Sequence, residues 1–372
     1  MQPVLLRIPW LDWQITSSGA SLVVAAFVAY TLTLGLASRA GVSRALASSA
    51  CFVAAVGGVL MARVSYVAVN LDTALDGSSA AARHWLAWIT VRDGGLLGYA
   101  GLLGGWGLGA LWLRFQVAPV AAWRWLDSTA PGALLGAAVV RIGCYVFGCD
   151  YGRPLPPGAS AWQQRLGSFP RWAEVDLHGA GAPAWADQVR AALIPPEATH
   201  SLPVHATQLY AAALSLVVFG SLVWLGRRLK APGQLFGAAL MALATTHFCV
   251  EIWRADPDRG LLGPSLEAKL LLGLGLVTLG LLACAGPARV VREARRRSAV
   301  YLLLLAPGGL WLLVRAASGL AWDVIPVSAA QWLALISAAV GALGVRWAPD
   351  GAEPVGAAAS PSPEAQPIEI TE

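Results

Sequence analysis

The stretch Leu126-Asp127-Ser128-Thr129-Ala130-Pro131 leads through an apolar run into Arg141-Ile142-Gly143-Cys144-Tyr145-Val146-Phe147-Gly148-Cys149-Asp150-Tyr151-Gly152-Arg153. An acid and a base bracket a helix-like apolar segment, which runs straight into a glycine-punctuated turn bearing two cysteines. An Arg at hydrocarbon depth costs on the order of 3 kcal/mol even on lenient insertion scales, so its default role is to face protein, water or a lipid headgroup. Taken alone, Arg141 can equally snorkel to the interface or pair with Asp127.

Outward from this stretch, the chain is 57% hydrophobic and 13% charged over 372 residues, too apolar for a soluble domain and typical of a polytopic membrane protein. The five cysteines form no CxxC pair and no zinc pattern, so neither a metal site nor a disulfide scaffold is indicated. Cys51, Cys249 and Cys284 lie in apolar runs and read as core. On a continuous helix Cys144 and Cys149 would diverge too far to bridge. The net charge of +5 comes mostly from clustered Arg, which in a membrane chain sets orientation and meets anionic lipid; nucleic-acid binding is not the reading. No small-residue cleavage site follows Arg7, so no removed signal peptide is expected.

An interfacial lead-in with Trp10, Trp13 and Gln14 precedes spans expected near 20–37, 47–69, from 94 onward, 127–147, 207–226, 234–253 and 265–285. Trp85 and Trp88 suit an interfacial belt, and the many glycines after Gly94 call for a close neighbour, whether a helix or a lipid headgroup. Residues 148–204 form a long polar head loop with a short amphipathic segment at 184–193. The basic clusters at 39–44, 227–230 and 289–297, with Arg114 and Arg124, all fall on one side of a seven-helix count. By the positive-inside rule the N-terminus and the head loop are external and the C-terminus is cytoplasmic. The expected organisation is a core of residues 1–298, an added transmembrane hairpin at 299–347 and a disordered cytoplasmic tail at 348–372.

The membrane-embedded polar groups are few: Arg63, Tyr99, Asp127, Arg141, His205, Gln208, Tyr210, His247, Glu251 and Arg254. His247 and Glu251 are one helical turn apart and share a face, an arrangement that a purely structural pair also satisfies. With Arg141, His205 and Arg254 they fall at the outer ends of their helices, where convergence would build an anion pocket suited to a phospholipid phosphate.

Five ordered motifs resemble those of the bacterial prolipoprotein diacylglyceryl transferase family. They are Gly58-x-x-x-Ala62-Arg63-x-x-Tyr66, Gly94-Gly95-Leu96-x-x-Tyr99-x-Gly101, the Asp127 to Arg153 stretch, Val204-His205-x-x-Gln208-Leu209-Tyr210, and Pro232-Gly233-Gln234 with Glu251-x-x-Arg254-x-Asp256. The resemblance implies an all-α, seven-helix inner-membrane enzyme, here with a two-helix C-terminal extension. It implies transfer of the diacylglyceryl group of phosphatidylglycerol to the lipobox cysteine of prolipoproteins, forming a thioether and releasing glycerol phosphate, with no cofactor and no metal. By similarity, Arg141, Tyr99, His247 and Glu251 are the expected catalytic residues. Arg63, Asp127, Gly152, His205, Gln208, Tyr210 and Arg254 are expected at the substrate. The chain departs from the family at Ser18, Tyr99, Cys144, Ala206, Ala211 and His247. Two rival readings stay open: a divergent paralogue that binds lipid or lipoprotein or serves another acceptor, and a transporter. On the transferase reading, removal of residues 299–372 is expected to leave transfer largely intact.

Overall fold

In hydrocarbon a backbone N–H or C=O finds no partner except within its own helix, so each long apolar run is driven to close its bonds on itself. A computed structural model describes residues 4–8, 13–70, 95–176, 179–229, 231–256, 259–267, 271, 275 and 324–346. A short antiparallel pair, β1 (Val4–Ile8) and β2 (Trp13–Thr16), opens the chain where an amphipathic lead-in was expected. Thr16 ends it and caps α1 (Ser17–Arg39), its hydroxyl accepting from the Gly19 N–H. Ser43 caps α2 (Arg44–Val69) in the same way. The Gly-rich α3 (Gly98–Gln116) follows.

The fourth helix, α4 (Pro119–Phe147), is longer than its expected 127–147. Pro119 sits in its first turn, where a missing N–H costs nothing, so the helix begins eight residues earlier than the apolar pattern alone suggests. The head region carries α5 (Ala161–Gly167), the pair β3 (Arg171–Asp176) and β4 (Gly179–Gly181), and α6 (Pro183–Arg190). It has a small core of its own, Phe147, Tyr151, Phe169, Trp172, Ala182, Ala184 and Val204. Then come α7 (Thr207–Gly226) and α8 (Gln234–Glu251).

The expected seventh span lies largely outside the described residues. Its first three positions, 265–267, belong instead to β5 (Leu261–Glu267), which pairs antiparallel with β6 (Val324–Ser328) and leads into α9 (Ala329–Arg346). Gly263 at φ +137° keeps the preceding residues out of a helix, and residues 265–267 take their partners from Val324, Ile325 and Pro326 instead. The segments with Trp85 and Trp88, the basic cluster at 289–297, the first arm of the added hairpin and the tail also lie outside the described residues.

The architecture is all-α and polytopic. Among the described residues α1, α2, α4 and α7 are long and apolar enough to cross a membrane. Their outward faces carry large apolar side chains such as Val23, Phe27, Phe52 and Leu216, which a hydrocarbon surround would cover. The helices pack through small residues. Along the α2–α3 seam a Cβ on Gly101 would stand 2.8 Å from the Gly58 carbonyl and 2.8 Å from the Ala62 Cβ, so the two backbones touch directly. The helix α1 lies against α4 and α9 against α8. At one end of the bundle the 39–44 turn approaches Arg124, and Gly233 packs on Trp123. The helix ends and turns bearing Arg39, Arg44, Arg114, Arg124, Arg227 and Arg228 thus lie opposite the end where α4 runs into the head region.

Candidate anion site at the head of the bundle

The helix α4 stops at Phe147 because Gly148 swings to φ +91°, its N–H closing on the Cys144 carbonyl at 2.7 Å. Asp150 also adopts a left-handed φ of +54°, which Asp tolerates better than most residues. The chain is turned back, and residues 149–155 become the middle of three segments. On one side the Gly152 N–H donates to the His205 carbonyl at 2.9 Å and the His205 N–H to the Arg153 carbonyl at 2.8 Å. On the other, the Arg153 N–H donates to the Trp253 carbonyl at 2.9 Å and the Ala255 N–H to the Tyr151 carbonyl at 3.1 Å. A Cβ on Gly152 would lie 2.6 Å from the His205 oxygen, so this glycine serves the site by letting two backbones meet.

This stitching draws sequence-distant charges together. The Arg141 Nη1 bonds Asp150 Oδ2 at 2.6 Å, and the Arg254 Nη2 bonds Asp150 Oδ1 at 2.6 Å, so one carboxylate bridges both guanidiniums. Arg254 also grips Asp256 through Nε at 2.8 Å and Nη2 at 2.6 Å, and reaches Glu251 Oε2 at 3.3 Å. The Arg259 Nη1 donates to the Arg254 carbonyl at 2.8 Å. Burial alone would lift the Asp150 carboxyl; the Arg254 and Arg141 guanidiniums overcome it and hold the group down at about 2. Asp150 was absent from the residues expected at the site, because its two partners come from other elements. Asp256 was visible only as the end of the Glu-x-x-Arg-x-Asp spacing.

Around the cluster several polar atoms are buried with no hydrogen-bond partner among the described residues: Glu251 Oε1, His247 Nε2, His205 Nε2 and Gln208 Oε1. Such unspent groups are costly unless something else meets them. Gln208 is anchored through Nε2 to the Cys149 carbonyl at 2.5 Å. His205 shares Nδ1 with the Tyr210 hydroxyl at 3.2 Å and lies 4.6 Å from the Trp253 ring. Burial, with Arg153 nearby, pushes its imidazole down to about 4, so His205 is neutral at pH 7. His247 stacks on Tyr99 with ring centroids 4.4 Å apart, and the Tyr99 hydroxyl meets Ser337 at 2.6 Å. Beside Tyr210 and Trp253 an apolar cavity of about 240 Å³ opens under Trp162, Leu166 and Leu214.

Two expected substrate residues are placed differently. Both oxygens of Asp127 accept backbone bonds at 2.7 Å, from Gly233 and from Phe236, so the carboxylate caps the start of α8. It sits fourteen residues before Arg141 in α4, roughly 21 Å along the axis. The Arg63 Nη1 donates to the Gly95 carbonyl at 3.1 Å at the approach to α3. The two thiols are also closer than a continuous helix would leave them. Because the chain folds back at Gly148, Cys144 Sγ, Cys149 Sγ and an Asp150 oxygen lie within 4.8 Å of one another. Cys144, burial and Asp150 hold the Cys149 thiol well above its usual range, and both Asp150 oxygens are engaged by Arg.

The family model described as prolipoprotein diacylglyceryl transferase matches residues 3–286. The chain belongs to the prolipoprotein diacylglyceryl transferase family. Among similar proteins, the phosphatidylglycerol–prolipoprotein diacylglyceryl transferase of Brucella anthropi is 28% identical over 238 residues, covering 62% of this chain and 69% of the relative. That of Clostridium tetani is 22% identical over 261 residues, 69% and 87% of the two chains. That of Neisseria meningitidis serogroup C is 29% identical over 201 residues, 53% and 66%. As a diacylglyceryl transferase family member the chain is a multi-pass membrane transferase, and the whole Arg141–Asp150–Arg254 cluster falls inside the matched stretch. The helix α9 lies beyond it.

Proposed function

We propose that this protein transfers the diacylglyceryl group of phosphatidylglycerol to the lipobox cysteine thiol of prolipoproteins at the outer face of a bacterial inner membrane. The observation that carries this is the bridged pair Arg141–Asp150–Arg254 standing beside unspent polar atoms of His247 and Glu251. Among the described residues Arg141 makes one hydrogen bond, to Asp150, which leaves the rest of its guanidinium fork free for a phosphate. Asp150 acts as a resident counter-ion that holds both Arg side chains in place until a phosphodiester arrives.

In the proposed reaction the acceptor thiol gives its proton to a base, for which His247 Nε2 is the best placed candidate. The thiolate then forms the sulfur–carbon bond at the glyceryl carbon next to the phosphate. The carbon–oxygen bond breaks, and its electron pair leaves with glycerol phosphate, whose charge Arg141 and Arg254 stabilise. Glu251 balances Arg254 throughout. The apolar cavity under Trp162 suits an acyl chain or an apolar acceptor residue. The basic loops gathered at the opposite end support an external N-terminus and an external head.

The test is mass spectrometry of a lipobox peptide incubated with the purified protein in phosphatidylglycerol vesicles. A diacylglyceryl increment on cysteine is expected for the wild type, and Arg141→Ala should reduce it at least about a hundredfold while the protein stays inserted. A second reading, a paralogue that binds lipid without transfer, is favoured by Tyr99 and His247 standing where relatives commonly have His and Arg; no increment from folded, lipid-bound protein would select it.

A further inference from the structure

We propose that α9, beyond the stretch matched by the family model, is a working part of the site, with Ser337 as a positioning residue that fixes Tyr99 and, through its ring, His247. The inference rests on the transferase reading above and names a residue that reading does not contain.

The hydrogen-bond directions follow from counting protons. The Ser337 hydroxyl donates to the Ala334 carbonyl at 3.0 Å, so its single proton is spent within its own helix. At 2.6 Å from Ser337 Oγ, the Tyr99 hydroxyl must then be the donor. Both side chains are buried, and a buried hydroxyl that loses its partner carries a full desolvation cost, so the pair locks the phenol at its tip. The ring so held lies 4.4 Å from the His247 ring at 20°, a stacked floor beneath an imidazole whose Nε2 has no partner among the described residues. Tyr99 is thereby a donor and a platform. The proton-accepting role falls to His247.

The seat of α9 supports the same conclusion. A Cβ on Gly341 would stand 2.6 Å from the Gly237 carbonyl, so α9 lies directly on the backbone of the helix that carries His247 and Glu251. Ser328 and Gln331 cap the start of α9 reciprocally, at 3.0 and 3.2 Å. The Ala329 N–H donates to the Gly260 carbonyl at 2.9 Å, tying that start to the segment that follows Arg259. Within the extension, α9 is thus fastened at its N-terminus and along its face.

The experiment is a double-mutant cycle in the full chain, with wild type, Ser337→Ala, Tyr99→Phe and the double variant in phosphatidylglycerol vesicles with a lipobox peptide. Turnover, half-saturating peptide concentration and thermal midpoint are measured for each. Ser337→Ala should lower maximal turnover per folded protein about tenfold while half-saturation moves less than about twofold, with its thermal midpoint well above the assay temperature so that loss of folded protein does not account for the drop. The double variant should be no worse than the weaker single, because both changes break one contact. Wild-type turnover in Ser337→Ala, or losses that multiply, would overturn the inference. If the wild type transfers nothing, the transferase reading itself has failed; the contact is then judged by the thermal midpoints, where additive losses reject it and non-additive losses retain it.

Discussion

At the scale of single residues, Asp150 joins the two halves of the site. It is one acid facing two Arg side chains, one on α4 and one in the segment after α8, and its left-handed backbone aims the carboxylate between them. Its partner Arg254 is 104 positions away in the chain, which is why no local pattern marks it. By contrast, Arg141, Glu251 and Arg254 were legible because a charge inside an apolar run is informative by itself. Ser337, 238 positions from Tyr99, was not legible at all: a serine in an apolar helix ordinarily bonds its own backbone. His205 gives a pH prediction. Its folded value is lowered to about 4 against 6.5, so the unfolded chain binds the extra proton between those values and stability falls as pH drops through that window. Thermal midpoints of the wild type and His205→Asn between pH 7 and 4 check this. The variant should show a shallower decline, and equal slopes would remove His205 as a cause.

At the scale of elements, the seams between helices make the sharper predictions. Gly101→Val must force α2 from α3, since a Cβ there already meets the Gly58 carbonyl and Ala62 at 2.8 Å; a loss of about 2–3 kcal/mol is expected by chemical unfolding in detergent. Gly107→Ala, in the same helix with nothing within 4 Å, should instead stabilise by roughly 0.5–1 kcal/mol, so the pair separates packing from propensity. Asp127→Ala uncaps α8 and should cost about 1–2 kcal/mol by the same measurement, with lipid half-saturation unchanged. A large rise in half-saturation would return Asp127 to the substrate. The spans themselves were mostly legible from apolar runs and capping residues. The strand pairs were not, since β5 and β6 lie far apart in the chain and each is too short to show a period.

At the scale of the whole molecule, the basic loops and the anion cluster occupy opposite ends of the bundle. That polarity predicts accessibility. In intact cells Ser160→Cys, in the head region, should react with a membrane-impermeant thiol reagent, whereas Ala40→Cys should react only after the membrane is opened. The native cysteines are controlled for by a parallel unsubstituted sample. The reverse pattern would invert the topology.

The middle segment 149–155 is held from both sides by chain that is made later: its flanks at 203–205 and 253–255 emerge only after more than forty and more than ninety further residues. During synthesis Arg141 can thus pair with Asp150 first, and the second guanidinium arrives only with the segment after α8. A chain cut short before that helix has no closed cradle to offer a headgroup. Closure of the cradle therefore waits for the chain to reach Arg254, well after the Arg141 helix is made.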